Sequence, residues 1–172
     1  MGGAPVFDDS DTWLLVGVNP LVSLLGGIPG ANPSVRLSRA LARGMKLIAI
    51  DPRRTETARR ALIHIQPRPG EDPTILAGMI RVILAEGLED RAFLVENTRG
   101  LEALRAAVEP FTPDYVERRA AVPRAQLVEA ARVFARGRRG CVTAGTGPNM
   151  APHGTLLEYL VLRKGNTVTR EE

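Results

Sequence analysis

Three features of this 172-residue sequence predict an α/β fold of Rossmann-like type, an open, mainly parallel sheet with flanking helices and a helical insertion. Short continuous apolar runs alternate with amphipathic stretches, as expected of strands buried on both faces and separated by crossover helices. The runs end in loops rich in Gly, Pro, Asn and Asp. Residues 88–136 carry helical patterning throughout, interrupted only by Gly and Pro. The length fits one domain with a real core, and a composition of 44% hydrophobic and 24% charged residues is that of a folding globular chain.

The first strand is Thr12–Val16, an apolar run with an aromatic, stopped by Gly17-Val18-Asn19-Pro20. Residues 21–33 are rich in Gly and Pro and are expected to form a long loop at the mouth of the sheet. A helix starts at Ser34, carries Val35, Leu37 and Leu41 on its apolar face, and closes at Gly44. Lys46–Ile50 is the second strand, so the order strand, loop, helix, strand predicts a right-handed parallel crossover. A polar stretch, 53–60, leads to a third short strand over 62–66 and the turn Pro67-Arg68-Pro69-Gly70. Asp72-Pro73 reads as N-cap and first helical residue of a helix that places Ile75, Leu76, Met79, Ile80, Ile83 and Leu84 against the sheet. Three or four helices follow over 88–136, broken at Gly100, at Pro110 to Pro113 and at Pro123. Gly140–Ala144 is the fourth strand, residues 145–149 a glycine-rich turn, 154–162 a final helix and 163–172 a polar tail.

The formal charge of +4 comes mostly from arginine, whose planar fork suits phosphate. Nucleic acid is not the expected partner, because two Tyr, four Phe and one Trp do not interleave with basic residues into stacking platforms. Cys141 is the only cysteine, so the chain cannot build a disulfide, a zinc cluster or a four-cysteine iron-sulfur site from its own thiols. No apolar stretch reaches the ~18 to 20 residues of a membrane span, and the chain is expected to be soluble, cytoplasmic or periplasmic, without membrane contact.

In a parallel sheet the loops that follow the four strands share one edge, where doubly wound folds bind ligands. Each loop carries chemistry suited to a nucleotide. Glycines let backbone N–H groups approach a diphosphate, Arg53 and Arg54 can donate to phosphate or stack, and Asp51 can accept from a ribose or a guanine edge. The G-x-G-x-x-G fingerprint is absent after the first strand, as is the G-x-x-x-x-G-K-[ST] loop, which argues against plain NAD or ATP binding.

In this order and spacing the loops resemble the molybdopterin oxidoreductase family, which includes formate dehydrogenases, nitrate reductases and dimethyl sulfoxide reductase. The resemblance rests on Gly17-Val18-Asn19-Pro20, on Ile50-Asp51-Pro52-Arg53-Arg54-Thr55-Glu56-Thr57-Ala58, on Arg68-Pro69-Gly70-Glu71-Asp72, and on Gly145-Thr146-Gly147 with His153-Gly154. It covers roughly residues 11–162 and implies a domain that holds the guanosine end of a molybdopterin guanine dinucleotide. By that resemblance Asn19 contacts the phosphate or ribose region, and Asp51 and Arg53 read the guanosine. Pro69, Gly70 and Asp72 form the loop that closes over the guanine. Thr146 and Gly147 lie in the turn that runs toward the pterin and metal. The chain departs from the family at Leu62, where an Asp is common.

The family's 4Fe-4S cluster and its ligand to molybdenum or tungsten lie in preceding segments, and later segments hold a second dinucleotide. The resemblance therefore implies a fragment whose partners are the remaining domains of a parent oxidoreductase. It is expected to supply no catalytic residue and no metal ligand, and not to turn over alone. Two other readings stay open at this stage, a nucleotide-binding regulatory module of another α/β family and a degenerate domain that serves assembly.

Overall fold

The computed structural model of the chain describes residues 7, 9–23, 28 and 32–168, the last six by their backbone only. Of the long loop expected over 21–33, residues 24–27 and 29–31 lie outside this set, as do residues 169–172 of the expected tail.

The described residues form a four-stranded sheet of order β3-β2-β1-β4, with β1 Thr12–Val16, β2 Lys46–Ile50, β3 Ile63–Ile65 and β4 Gly140–Ala144. Every pairing is parallel: β1 with β2 from Thr12↔Lys46, β1 with β4 from Thr12↔Gly140, and β2 with β3 from Ile48↔Ile63. Helix α1, Pro33–Ala42, makes the crossover between β1 and β2, and its N-cap Asn32 accepts a hydrogen bond from the Val35 N–H. α2, Asp72–Ala85, follows β3. The helical insertion comprises α3 Arg91–Asn97, α4 Leu101–Val108, α5 Pro113–Ala120 and α6 Arg124–Ala135, with breaks at Gly100, at Pro110 to Thr112 and at Pro123 as the sequence predicts. β4 leads to α7 Thr146–Met150 and α8 Gly154–Val168.

The sheet is covered on both faces, which is why its strands read as unbroken apolar runs. Leu14, Val16, Ile48, Ile50, Ile63 and Ile65 face a core shared with α2, α6 and α8. Trp13, Leu15 and Leu47 face the other way, onto Leu37 and Ala40 of α1. α6 lies across β1, β2 and β3, while α2 is packed mainly among α4, α5, α6 and α8. The helix expected to lie on the sheet is thus surrounded largely by other helices. That position explains burial on nearly every side of α2, from Ile75 through Leu84.

Three local expectations are corrected. Asp72 is not the N-cap of α2 but its first helical residue, with Glu71 at the cap position, since Pro is tolerated at either of the first two helical positions. The turn expected at 145–149 is wound into the one-turn helix α7 from Thr146. The final helix continues past Leu162 to Val168, because polar residues do not by themselves stop backbone hydrogen bonding once a helix is nucleated. Among the described residues no helix is long and apolar enough to cross a membrane.

Candidate functional site

With all four strands parallel, their C-terminal ends point the same way, and the four loops follow on one edge in the spatial order of the strands. Three inter-strand spacings give this row a width of roughly 14 Å.

The loop after β2 is the most tightly built. The Asp51 N–H donates to Ile65 O at 3.0 Å, and the His64 Nε2–H donates to the Asp51 carbonyl at 3.0 Å, so β3 holds Asp51 from both sides of its peptide. Gln66 Nε2 adds a bond to Pro52 O at 3.3 Å. The side chain of Asp51 turns back on its own loop, with Oδ1 accepting the Arg53 N–H at 2.8 Å, an Asx-turn that leaves Oδ2 for another donor. Arg53 and Arg54 are exposed. Thr55 is buried and its hydroxyl oxygen accepts the Ala58 N–H at 3.1 Å, closing the polar stretch into a compact turn.

The loop after β1 is fastened to that turn through Asn19. Its Nδ2 donates to Glu56 Oε2 at 2.7 Å, and its Oδ1 accepts from the Thr57 hydroxyl at 2.5 Å. The same Thr57 oxygen receives the Leu21 N–H at 3.4 Å. Glu56 is held below the usual carboxylate range, first by a hydrogen bond from its own backbone N–H and next by Asn19. Asn19 therefore spends one donor and one acceptor bracing two loops together, with one of each remaining.

On the far side of β2, Gly70 adopts φ +87° and lets the loop after β3 turn sharply before α2. Pro69 is exposed and Gly70 half-buried, but Asp72 is only 5% exposed. Its buried Oδ1 has no hydrogen-bond partner, and among the described residues the only other buried side-chain polar atom so left is Glu89 Oε2. Burial raises the Asp72 carboxyl above its ordinary range, and the nearby Asp51 and Glu71 charges push the same way against a bond from its own backbone N–H. Asp51 and Asp72 thus come from different loops, near enough for the Asp51 charge to act on the Asp72 carboxyl.

At the other end of the row, Gly145 and Gly17 meet. A side-chain carbon on Gly145 would sit 2.1 Å from the Gly17 carbonyl oxygen, and one on Gly17 would sit 2.4 Å from the Pro148 ring. Gly145 lets backbone lie on backbone where the chain leaves β1 and β4, and Gly17 leaves room for the Pro148 ring. Thr146 and Gly147 are exposed, and a side-chain carbon on Gly147 would meet nothing within 4 Å. Gly147 fronts open space and is not needed for packing.

The edge thus offers Asp51 followed by two exposed arginines, the buried Asp72 in the neighbouring loop, a braced Asn19, and a turn with free backbone approach beside β1. A ligand with adjacent N–H donors at one end and anionic oxygens along its length matches that order of groups. Glu56, Thr57, His64 and Gln66 are supporting residues whose roles the sequence pattern does not reveal. A short sequence offset from Thr55 to Ala58 marks a side-chain cap, but the reach from Asn19 to Glu56 and from His64 to Asp51 depends on strand pairing.

The molybdopterin oxidoreductase family model matches residues 4–157. The chain belongs to that family. Formate dehydrogenase H of Escherichia coli is 34% identical over 142 residues, which is 81% of this chain and 19% of that enzyme. Acetylene hydratase of Syntrophotalea acetylenica is 35% identical over 129 residues, 75% of this chain and 17% of that protein. Among solved structures, acetylene hydratase from Pelobacter acetylenicus superposes with a TM-score of 0.86 at 28% identity, covering 95% of this chain and 22% of the other. This molybdopterin oxidoreductase chain therefore spans less than a quarter of the length of these relatives. Family membership removes the reading as a regulatory module of another α/β family.

Proposed function

We propose that this domain holds the guanosine diphosphate end of a molybdopterin guanine dinucleotide, within a longer oxidoreductase that works at molybdenum or tungsten. The observation that carries the reading is Asp72 Oδ1, a buried carboxylate oxygen without a partner, beside Asp51 on the edge where the four loops meet. An orphaned buried acceptor is costly and calls for a donor, and the guanine edge brings N–H groups at N1 and N2. Asp51 Oδ2 is the acceptor left over by the Asx-turn, and Asp72 Oδ1 is the buried one that lacks a donor. Arg53 stands where it can stack on the base or meet a phosphate, and Asn19 keeps one donor for the ribose or phosphate region. Pro69 and Gly70 shape the cover over the base. Thr146 and Gly147 give the remainder of the cofactor a backbone path past β1 toward the pterin end.

The bound cofactor would bring the redox chemistry of the pterin-held metal, and this domain's contribution is orientation. An iron-sulfur cluster of the 4Fe-4S type belongs to other parts of such an enzyme. Cys141 is unsuited to hold one, since burial pushes its thiol up to about 11. Substrate choice lies with groups near the metal rather than with this edge.

The test is selective retention. Immobilised chain should retard GDP more than GMP, ATP or NAD, and the preference should vanish in Asp51→Asn. Equal retardation of all four nucleotides would refute guanosine recognition and favour a domain that serves assembly alone.

A further inference from the structure

The loop that presents Asp72 is not supported by the sheet alone. Arg68, at its start, closes the C-terminus of α5. Its N–H donates to Ala120 O at 2.9 Å, and its Nη1 donates to the carbonyls of Arg118 at 3.3 Å and Arg119 at 3.2 Å. These are carbonyls that a helix end leaves without intrahelical partners, and a cation is favoured there. The contact is returned from α5: Arg119 Nε lies 2.9 Å from Glu71 Oε1 and 3.1 Å from Glu71 Oε2. Glu71 Oε2 also accepts from the Thr74 hydroxyl at 2.7 Å in the first turn of α2. The segment carrying Pro69 and Gly70 is thus slung between two anchors, and both anchors are on α5.

α5 is itself firmly seated. Val116 is fully buried, and a side-chain carbon on Gly78 of α2 would lie 2.6 Å from Val116 Cγ2, so the two helices touch where only glycine fits. From this arrangement we infer that α5 of the helical insertion is a brace for the nucleotide loop, with Arg119 a positioning residue that sets Gly70 and Asp72 through Glu71. The inference deepens the guanosine reading and rests on it for its ligand. It adds that a residue 48 positions along the chain from Glu71, outside all four edge loops, tunes cofactor affinity.

The test uses the 172-residue chain and its variants Arg119→Ala, Arg119→Glu and Arg119→Lys. Amide hydrogen exchange is read at Glu71, whose N–H donates to Arg68 O, and at Leu47 to Ile50 in β2 as an internal control. Arg119 is more than half exposed, so the brace is modest, and Arg119→Ala should speed exchange at Glu71 about two- to fivefold. Arg119→Glu should exceed that, Arg119→Lys should stay within about twofold of the parent, and the β2 amides should not change. GDP affinity, read by titration, should fall in the same order as loop protection, furthest in Arg119→Glu, less in Arg119→Ala and least in Arg119→Lys. Unchanged exchange at Glu71 in Arg119→Glu would overturn the inference, and so would a parallel rise at β2, which would make the contact a general stability element. Faster loop exchange with unaltered GDP affinity would overturn it as well. If GDP fails to bind the parent chain, the guanosine reading falls, while exchange at Glu71 still decides whether α5 sets the loop.

Discussion

Replacing Asp72 by Asn should make the chain more stable and a poorer nucleotide binder. Asp72 is 5% exposed, its Oδ1 has no partner, and burial, with Asp51 and Glu71 nearby, raises its carboxyl above the ordinary value of 3.8. A buried polar group without a partner costs about 1–3 kcal/mol. Its place as the first residue of α2 returns roughly 0.3–1 kcal/mol through the helix dipole. Asn leaves a buried polar group in place and removes only the charge and its desolvation, so a net gain of up to about 1 kcal/mol follows, or up to about 2–4 °C in Tm for a chain of this size.

The pH dependence has a definite sign. Between 3.8 and the raised native value, the folded chain holds a proton on Asp72 that the unfolded chain has lost, so stability falls as pH rises through that window. The penalty is absent below 3.8 and complete above the native value. Glu56 and Glu86 are lowered and act in the opposite sense, which is why the difference between Asp72→Asn and the parent is the quantity to follow. Thermal melts in a buffer series from about pH 4 to about pH 8 should show that difference near zero at the acid end and growing to a plateau. A variant less stable than the parent at neutral pH, or a difference independent of pH, would show that the buried Asp72 charge carries no penalty.

Other outcomes follow from the same geometry. Asp51→Asn should weaken GDP by about 1.5–3 kcal/mol if the pairing is buried and charge-assisted, and pyrophosphate far less, as titration calorimetry with both ligands would reveal. Gly145→Ala should destabilise by about 1–3 kcal/mol, because the new methyl meets the Gly17 carbonyl oxygen at 2.1 Å. Gly147→Ala meets nothing within 4 Å and should leave Tm unchanged or raised, yet reduce cofactor binding; denaturant melts paired with binding assays separate the two glycines. Produced in a host that makes the cofactor, the chain should carry well under one molybdenum per molecule and show no dye-linked formate or nitrate activity. Among the described residues no three His, Cys, Asp or Glu side chains cluster as a metal site.

The strands were legible because a parallel sheet covered on both faces needs unbroken apolar runs, and Leu14 to Val16 and Leu47 to Ile50 supply them. Parallel order then places Asn19, Asp51, Gly70 and Gly147 on one edge without further information. What could not be read is how those residues are held. Asn19 looks like a ligand in the sequence, but one donor and one acceptor of its amide go to Glu56 and Thr57. Asp-Pro suggested an N-cap at Asp72, whereas the Glu71 side chain is engaged by Thr74 and Arg119 and Asp72 is buried one step into the helix. Pairings such as Arg119 with Glu71 depend on α5 being seated against α2, which no local pattern encodes.

Guanosine binding at this edge is best decided by an NMR titration of isotope-labelled chain with GDP, since it registers weak binding and locates it. Saturable amide shifts are expected, grouped at Asn19, Asp51, Arg53, Gly70, Asp72 and Gly147, and larger than those produced by ATP or NAD at equal concentration. Shifts scattered over α1 and α3, or the same response to all three nucleotides, would contradict a guanosine site built from these loops.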